Sequence, residues 1–166
     1  MNKRERVIAA LNFEKPDYTP YSVSFTGQML DKRIAHTGNP AYEATVDNHI
    51  FMLDLIKPQE ELRPDFYQDE YGVIWNKSGV DKDIGVVDKL LLEDPEDLDS
   101  YVLPPVDEGF IRGCMERLMS EANGRFTVAG IGFSLFERAW TLRGMENLLC
   151  DMIVEPDFVH ELLSRI

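Results

Sequence analysis

The sequence has few side chains of the kinds that bind metal ions. Cysteine occurs only as Cys114 and Cys150, and histidine only as His36, His49 and His160. No C-x-x-C or H-x-C spacing surrounds them, whereas a tight zinc site needs three or four converging ligands. Both cysteines fall within apolar helical patterns, which favours buried free thiols over a disulfide or a metal pair. We therefore expect no cofactor to be bound by this chain alone. His49 lies beside an apolar stripe, which is more typical of a core or rim histidine than of a ligand.

Positive charge and long apolar segments are also scarce. The 166 residues include 17 basic and 30 acidic side chains, for a formal net charge of -13, and no Lys/Arg cluster with interleaved aromatic residues occurs. Nucleic acid and anionic membrane surfaces are therefore poor candidates as partners. No apolar run approaches the roughly 18 residues of a membrane span, and the N-terminus lacks the pattern of a signal peptide. We expect a cytoplasmic protein that acts on a small molecule or meets a protein partner.

The first third of the chain alternates between helix and strand patterns. Asn2 and Glu5 have the spacing of a capping box at the start of an amphipathic helix. Apolar and serine residues alternate over 21–25, which predicts a first strand. Thr26-Gly27 then leads into a helix that stops at Gly38, and Asn39-Pro40 predicts the start of another helix that runs to Pro58.

A β-ribbon is predicted next, because residues 66–75 have strand composition and a turn leads to a second strand over 84–87. Asp65, Asp69 and Glu70 crowd one end of this ribbon. Three neighbouring carboxylates can raise one another's pKa and serve proton transfer, or they can bind a cationic group. The alternative interpretation is a solvated acidic cluster.

Polar residues follow the apolar run from Phe126 to Phe133, which predicts a buried strand of a parallel sheet. Glu137 and Arg138 come directly after it, and Thr141 is a candidate cap for a helix that begins at Leu142. Sites in α/β folds are built where a strand hands over to a helix. An ordinary loop with a solvated Glu137 and Arg138 is the alternative. Other helices are predicted after Asp94-Pro95, over 111–122 and from Pro156 onward.

Three segments together resemble the N-terminal half of the uroporphyrinogen decarboxylase family: NKRERVIAALNFEKPDYTP, DFYQDEYGVIW and GFSLFERAWTLRGMENLLCDMIVEPDFVHELLSRI. The resemblance covers nearly the whole chain and implies an α/β fold, the first part of a (β/α)8 TIM barrel with the β-ribbon inserted. A complete barrel needs about 250 residues. Residues 1–166 are therefore expected to form an N-terminal half, and the last helix pattern runs to Ile166 without a stop signal, which favours a truncated chain.

The family includes decarboxylases and similar cobalamin-linked methyltransferases. The decarboxylases carry an arginine-rich loop after the first strand, which clamps the substrate carboxylates. Here that region reads SFTGQMLDKRIAHTG, and Met145 falls where those enzymes have a tyrosine. The methyltransferase branch, which lacks the arginine loop, resembles this chain better. Its members bind zinc through one histidine and two cysteines of the C-terminal half, to which Cys114 and Cys150 do not correspond.

The resemblance implies a methyl transfer from a corrinoid partner protein to a thiol or another acceptor, with zinc and the corrinoid supplied in the complete enzyme. Uroporphyrinogen decarboxylation and a non-catalytic half-barrel that binds a partner through its open edges are the alternatives. On the first hypothesis the barrel mouth holds Asp65 and Asp69 as catalytic carboxylates. It also holds the substrate-binding residues Gln28, Glu70, Glu137 and Arg138.

Overall fold

The computed structural model describes residues 1–79 and 85–166. The chain forms two compact units. The first comprises Met1–Leu55 and Glu108–Gly130, and the second comprises Ile56–Asp107 and Ile131–Ile166. The architecture is mixed α/β with small sheets, and the strands of the described residues do not close into a barrel.

The α-helices of the described residues are α1 (Lys3–Leu11), α2 (Gly27–Thr37), α3 (Glu108–Ser120), α4 (Leu135–Arg143), α5 (Met145–Val154) and α6 (Pro156–Arg165). The strands are β1 (Ile50–Asp54), β2 (Glu60–Arg63), β3 (Phe66–Gln68), β4 (Ile74–Asn76), β5 (Val86–Val87) and β6 (Phe126–Gly130). The same described residues include 3-10 helices at Tyr42–Thr45 and Pro95–Asp99.

The first unit is built on a parallel pair of strands. β1 pairs with β6 in a register that runs from Ile50 opposite Phe126 to Asp54 opposite Gly130, and helices α1 and α3 contact both strands. Gly130 leaves room for the Asp54 carboxylate at the end of the pair, because a Cβ there would lie only 2.0 Å from Asp54 Oδ1 and the side chain would have to move. The carboxyl ends of both strands therefore meet at the Asp54 side chain.

Local hydrogen bonds explain the helix ends that the sequence predicts. The Asn2 side chain accepts from the Glu5 N–H at 2.8 Å, and the Glu5 carboxylate accepts from the Asn2 N–H at 2.8 Å, so the predicted capping box is confirmed. Thr26 caps α2, and Gly38 ends it with a φ of 67°, a conformation that glycine adopts without strain. The predicted boundaries of this helix are confirmed.

The second unit packs helices α4 to α6 with an antiparallel sheet in the order β2-β3-β4-β5. The predicted β-ribbon is thus confirmed, and Ile84, where its second strand was expected to begin, lies outside the described residues. The buried core draws on the sheet, on the segment that follows it and on all three helices: Val73, Trp75, Leu92, Leu98, Ala139, Leu142, Leu148, Val159 and Leu162. Full burial of each large apolar side chain contributes roughly 1.5–3 kcal/mol.

Four sequence predictions are wrong. Residues 21–25 are not a strand, and the segment after Pro40 is a 3-10 helix followed by β1 rather than one helix. The helix that was expected to begin at Leu142 behind Thr141 begins as α4 at Leu135, because Ser134 and Glu137 form a capping box there. The two cysteines are not fully buried as expected, since Cys114 is half-buried and Cys150 is exposed. His49, by contrast, is completely buried, in agreement with a core histidine.

The membrane prediction can be examined only for the helices that the structure describes. None of the helices in residues 1–79 and 85–166 is long and apolar enough to cross a bilayer.

Candidate functional site

The Asp69 carboxylate organises the turn between β3 and β4. Its Oδ1 accepts the backbone N–H groups of Tyr71 and Val73, each at 3.0 Å. Its Oδ2 accepts the indole N–H of Trp75 at 3.1 Å and Nη1 of Arg138 at 2.9 Å. A carboxylate that satisfies two turn amides, a core tryptophan and an arginine is held in one orientation. With all four of these hydrogen bonds made, Asp69 is suited to positioning the turn and Arg138.

Arg138 reaches this turn from the first half of α4. Its side chain is 8% exposed, and that of Asp69 is 9% exposed, so the ion pair is buried on both sides. The guanidinium lies over the Tyr71 ring at 3.7 Å from the ring centroid, a stacking geometry that suits the planar group. Its Nε atom is buried and hydrogen-bonds to no described residue. Arg138 is therefore fixed at one edge and unsatisfied at another.

Tyr101 supports the same turn from the segment after the second 3-10 helix. Its hydroxyl donates to the Tyr71 carbonyl oxygen at 2.9 Å. Burial raises the pKa of Tyr101 to about 12, because an ionised phenolate would lose hydration there. The neutral, donating form of Tyr101 is thus maintained, and with it the position of Tyr71 beneath Arg138.

Arg138 lines a cavity of about 210 Å³ within the second unit, which we call the Arg138 cavity. Its walls combine apolar and charged side chains: Ile56, Lys57, Asp69, Glu70, Trp75, Lys77, Phe133 and Arg138, with Gln59 and Gly132 beside them. The rings of Trp75 and Phe133 have centroids 5.7 Å apart. A Cβ at Gly132, whose φ is 63°, would lie 2.3 Å from Ile56 Cδ1, so the glycine keeps this wall open. The cavity is smaller than the 300–1,000 Å³ typical of drug-sized ligands.

The cavity wall is richer in cations than the chain as a whole. Three cationic and two anionic side chains line it, although the chain as a whole is acidic. Lys57 pairs with Asp107 at 2.9 Å, and this hydrogen bond raises the pKa of Lys57. Lys77 lies over the Tyr67 ring at 4.8 Å. Both lysines contact neighbours of the second unit.

The structure brings together three of the six residues that the sequence indicated. Asp69, Glu70 and Arg138 all line the Arg138 cavity. Asp65 is exposed in the turn between β2 and β3, where its φ is 67°, and it does not contribute to the cavity wall. The carboxylate of Glu137 caps α4 through Ser134.

The remaining predicted residue, Gln28, lies in the first turn of α2, in the first unit. It is half-buried there. The assigned roles of Gln28, Asp65 and Glu137 in a barrel mouth stay predictions.

The sequence did not single out the other cavity residues, although weak signals were present. Lys77 follows the strand residue Trp75 by two positions, which places both side chains on one face of an extended segment. Phe133 and Gly132 end the apolar run before α4, directly at a strand-to-helix junction. Lys57 had no sequence signal, because its place in the cavity depends on tertiary packing.

The described residues offer no zinc site. In residues 1–79 and 85–166, no three histidine, cysteine or acidic side chains converge as a metal would require. Zinc therefore does not fit the side chains of the described part, and no chemical step is assigned to it.

Comparison of the chain with protein-family models, with curated proteins and with solved structures gives no match. The likeness to the uroporphyrinogen decarboxylase family rests on the three sequence segments themselves.

Proposed function

We propose that this chain is the N-terminal part of a (β/α)8-barrel enzyme of the uroporphyrinogen decarboxylase family, and that the enzyme transfers a methyl group from a corrinoid partner protein to a thiol or another acceptor. One observation carries the proposal. Asp69 and Arg138 come from two separate segments of the family resemblance, 69 positions apart, and they meet in a buried ion pair on a cavity. If the similarity of these two short segments to the family were accidental, there would be no reason for Asp69 and Arg138 to meet in the folded chain.

Different roles follow for the two neighbouring carboxylates. Asp69 accepts four hydrogen bonds and positions Arg138, so it acts on a substrate only through that arginine. Glu70 lines the cavity with an exposed side chain, and it lies close enough to Lys57 to raise the pKa of that lysine. Glu70 is therefore the carboxylate of this pair that can contact a bound molecule.

Methyl transfer fits the cavity better than uroporphyrinogen decarboxylation does. A tetrapyrrole with several carboxylates needs a cationic partner for each one that it buries, since a buried unpaired charge costs several kcal/mol. The Arg138 cavity supplies one buried arginine and a volume of about 210 Å³. It is also too small for a corrinoid ring, so its residues hold the small methyl donor or acceptor while the corrinoid belongs to the partner.

Methyl transfer can be tested with the chain co-expressed with a polypeptide that carries the zinc-binding histidine and two cysteines expected of the family's C-terminal half. The purified assembly is incubated anaerobically with methylcob(III)alamin and a thiol, and the loss of the methyl-cobalt spectrum is followed. A parallel sample receives uroporphyrinogen, and its products are separated by chromatography. We expect demethylation and no coproporphyrinogen. Formation of coproporphyrinogen, or no demethylation, would reject the proposed function.

A further inference from the structure

The guanidinium of Arg138 has one edge in use and one edge free. Nη1 donates to Asp69 Oδ2 at 2.9 Å and lies 3.5 Å from Thr141 Oγ1. Nε and Nη2 point along the other edge, and no described residue accepts a hydrogen bond from either. Nε is buried as well, in a side chain that is only 8% exposed. A buried donor without an acceptor is unfavourable, so this edge favours an acceptor that the described residues do not supply.

The free edge has the geometry of an oxyanion site. Nε and Nη2 of an arginine present two parallel N–H groups, and a carboxylate matches them with its two oxygens. Arg138 is also preorganised, because Asp69 fixes one side of its guanidinium and the Tyr71 ring supports one face. Ligand binding therefore loses little conformational entropy in the Arg138 side chain, which is already ordered.

We propose that the Arg138 cavity binds a small apolar monocarboxylate, with both carboxylate oxygens on Nε and Nη2 of Arg138 and the apolar part beside Trp75 and Phe133. This inference rests on the proposed function for its role, because it names the substrate class of that same cavity. The recognition itself rests on the contacts around Arg138.

Charge and shape both restrict the ligand to one carboxylate and a short apolar body. Lys57 is paired with Asp107 and Arg138 with Asp69, so the wall has no large excess of positive charge to match a ligand with several negative charges. The two lysines have neighbours of their own: Lys57 has Asp107, and Lys77 has the Tyr67 ring. Arg138 is the cation of the wall that can present two parallel N–H groups to a carboxylate, which a lysine ammonium cannot do. The apolar wall of Ile56, Trp75 and Phe133 suits a flat hydrocarbon body, which a phosphate ion lacks.

The proposal can be tested by calorimetric titration of the whole chain with benzoate. Benzamide is the matched ligand control, because it has the same ring without the negative charge, and inorganic phosphate is the oxyanion control without the ring. We expect benzoate to bind at least tenfold more tightly than benzamide and phosphate not to displace it at equal concentration. Binding should also raise the urea midpoint of the protein.

The matched protein variants are Arg138→Lys and Arg165→Lys. Both keep a positive charge and lose the planar fork, but Arg165 pairs with Glu161 on α6 and does not line the cavity. We expect Arg138→Lys to weaken benzoate binding at least tenfold and Arg165→Lys to leave it unchanged. If Arg138→Lys fails to fold, the affinities of the unaltered chain for benzoate and benzamide are sufficient to test the proposed carboxylate site.

Equal affinity for benzoate and benzamide, unchanged affinity in Arg138→Lys, displacement by phosphate or no benzoate binding would each overturn this inference. None of these outcomes depends on methyl transfer. If the chain binds benzoate through Arg138 but its assembly does not transfer methyl groups, the carboxylate site is supported and the proposed function is rejected. An assembly that demethylates methylcob(III)alamin while its chain ignores benzoate gives the reverse result.

Discussion

Replacing Asp69 by asparagine exchanges one of its two carboxylate oxygens for an NH2 group at the centre of the buried network. Asparagine presents one carbonyl oxygen and one NH2 group, so it can accept from only one side of the network. Either the amides of Tyr71 and Val73 or the donors of Trp75 and Arg138 then face an NH2 group. The substitution also leaves the Arg138 guanidinium buried without a counter-charge.

The size of the effect follows from that uncompensated charge. Removal of one partner of a buried ion pair costs about 3–5 kcal/mol, and complete domains have unfolding free energies of about 5–15 kcal/mol. Asp69→Asn should therefore remove a large part of the stability of the second unit. Arg138→Met should be milder, because it leaves the Asp69 carboxylate with its three other donors.

Urea unfolding followed by tryptophan fluorescence measures this effect. Trp75 belongs to the core of the second unit and Trp140 packs against that core, so the signal reports on the unit that contains the substitution. Asp65→Asn is the matched control, because Asp65 is exposed and asparagine accepts its positive φ. It should change the unfolding free energy by less than about 0.5 kcal/mol.

The double variant Asp69→Asn/Arg138→Met separates the pair from its surroundings. It should be less destabilised than the sum of the single variants by roughly 0.5–3 kcal/mol, because the charge left unpaired in Asp69→Asn is then absent. If Asp69→Asn were as stable as Asp65→Asn, or if the two single effects simply added, the buried ion pair would not hold the turn in the way described.

Three further predictions concern other parts of the chain. Arg143→Met should cost about 3–5 kcal/mol in the same urea assay, because it leaves the buried Asp151 carboxylate without the guanidinium whose Nε lies 2.6 Å away. Arg117→Met breaks an exposed pair with Glu121 and should have a much smaller effect. Equal losses would contradict this. The raised folded pKa of Tyr101, about 12, means that an unfolded chain ionises first, near its ordinary pKa of about 10. The contribution of Tyr101 to stability is thus complete below about pH 10 and is lost as the pH rises towards 12, so Tyr101→Phe should flatten this decline, and parallel curves would refute the prediction. Asn2→Ala should lower stability by about 1 kcal/mol through the lost cap, and no change in the melting of α1 by circular dichroism would argue against it.

The sequence predicted those elements whose causes are local. The capping box at Asn2 and the glycine stop at Gly38 depend on residues within a few positions, and both were found. Ser134 and Glu137 carried an equally local signal, three residues apart, which would have given the correct start of α4.

The wrong predictions involve partners that are distant or unusual. Residues 21–25 have strand alternation, but side chains take the place of a neighbouring strand. The Asn48 side-chain amide accepts the N–H of Val23 and donates to its carbonyl oxygen. The Tyr21 N–H donates to the ring Nδ1 of His49, and the Tyr21 carbonyl oxygen accepts the backbone N–H of His49. β1 was assigned to a helix because its parallel partner β6 lies more than seventy residues further along the chain.

The candidate site was predictable only in part. Each of the residues Asp69, Glu70 and Arg138 stood out by its position next to a strand end, but no local pattern shows that Asp69 and Arg138 pair or that the pair is buried. The lysines and aromatic residues of the cavity wall depend on the packing of the whole second unit, so sequence periodicity carried little information about them.

The interleaving of the two units constrains how the chain folds as it is made. β1 cannot pair with β6 until β6 has been synthesised, and strands β2 to β5 of the second unit are synthesised between the two. At 5–20 residues per second, the segment from Ile50 to Phe126 takes roughly 4–15 s to synthesise. During that interval the backbone groups of β1 have no strand partner, and an unpaired strand edge can pair with other chains. The nascent first unit is therefore open to wrong strand pairing until β6 has been made, and a single cut in the gene cannot separate the two units into independently expressed pieces.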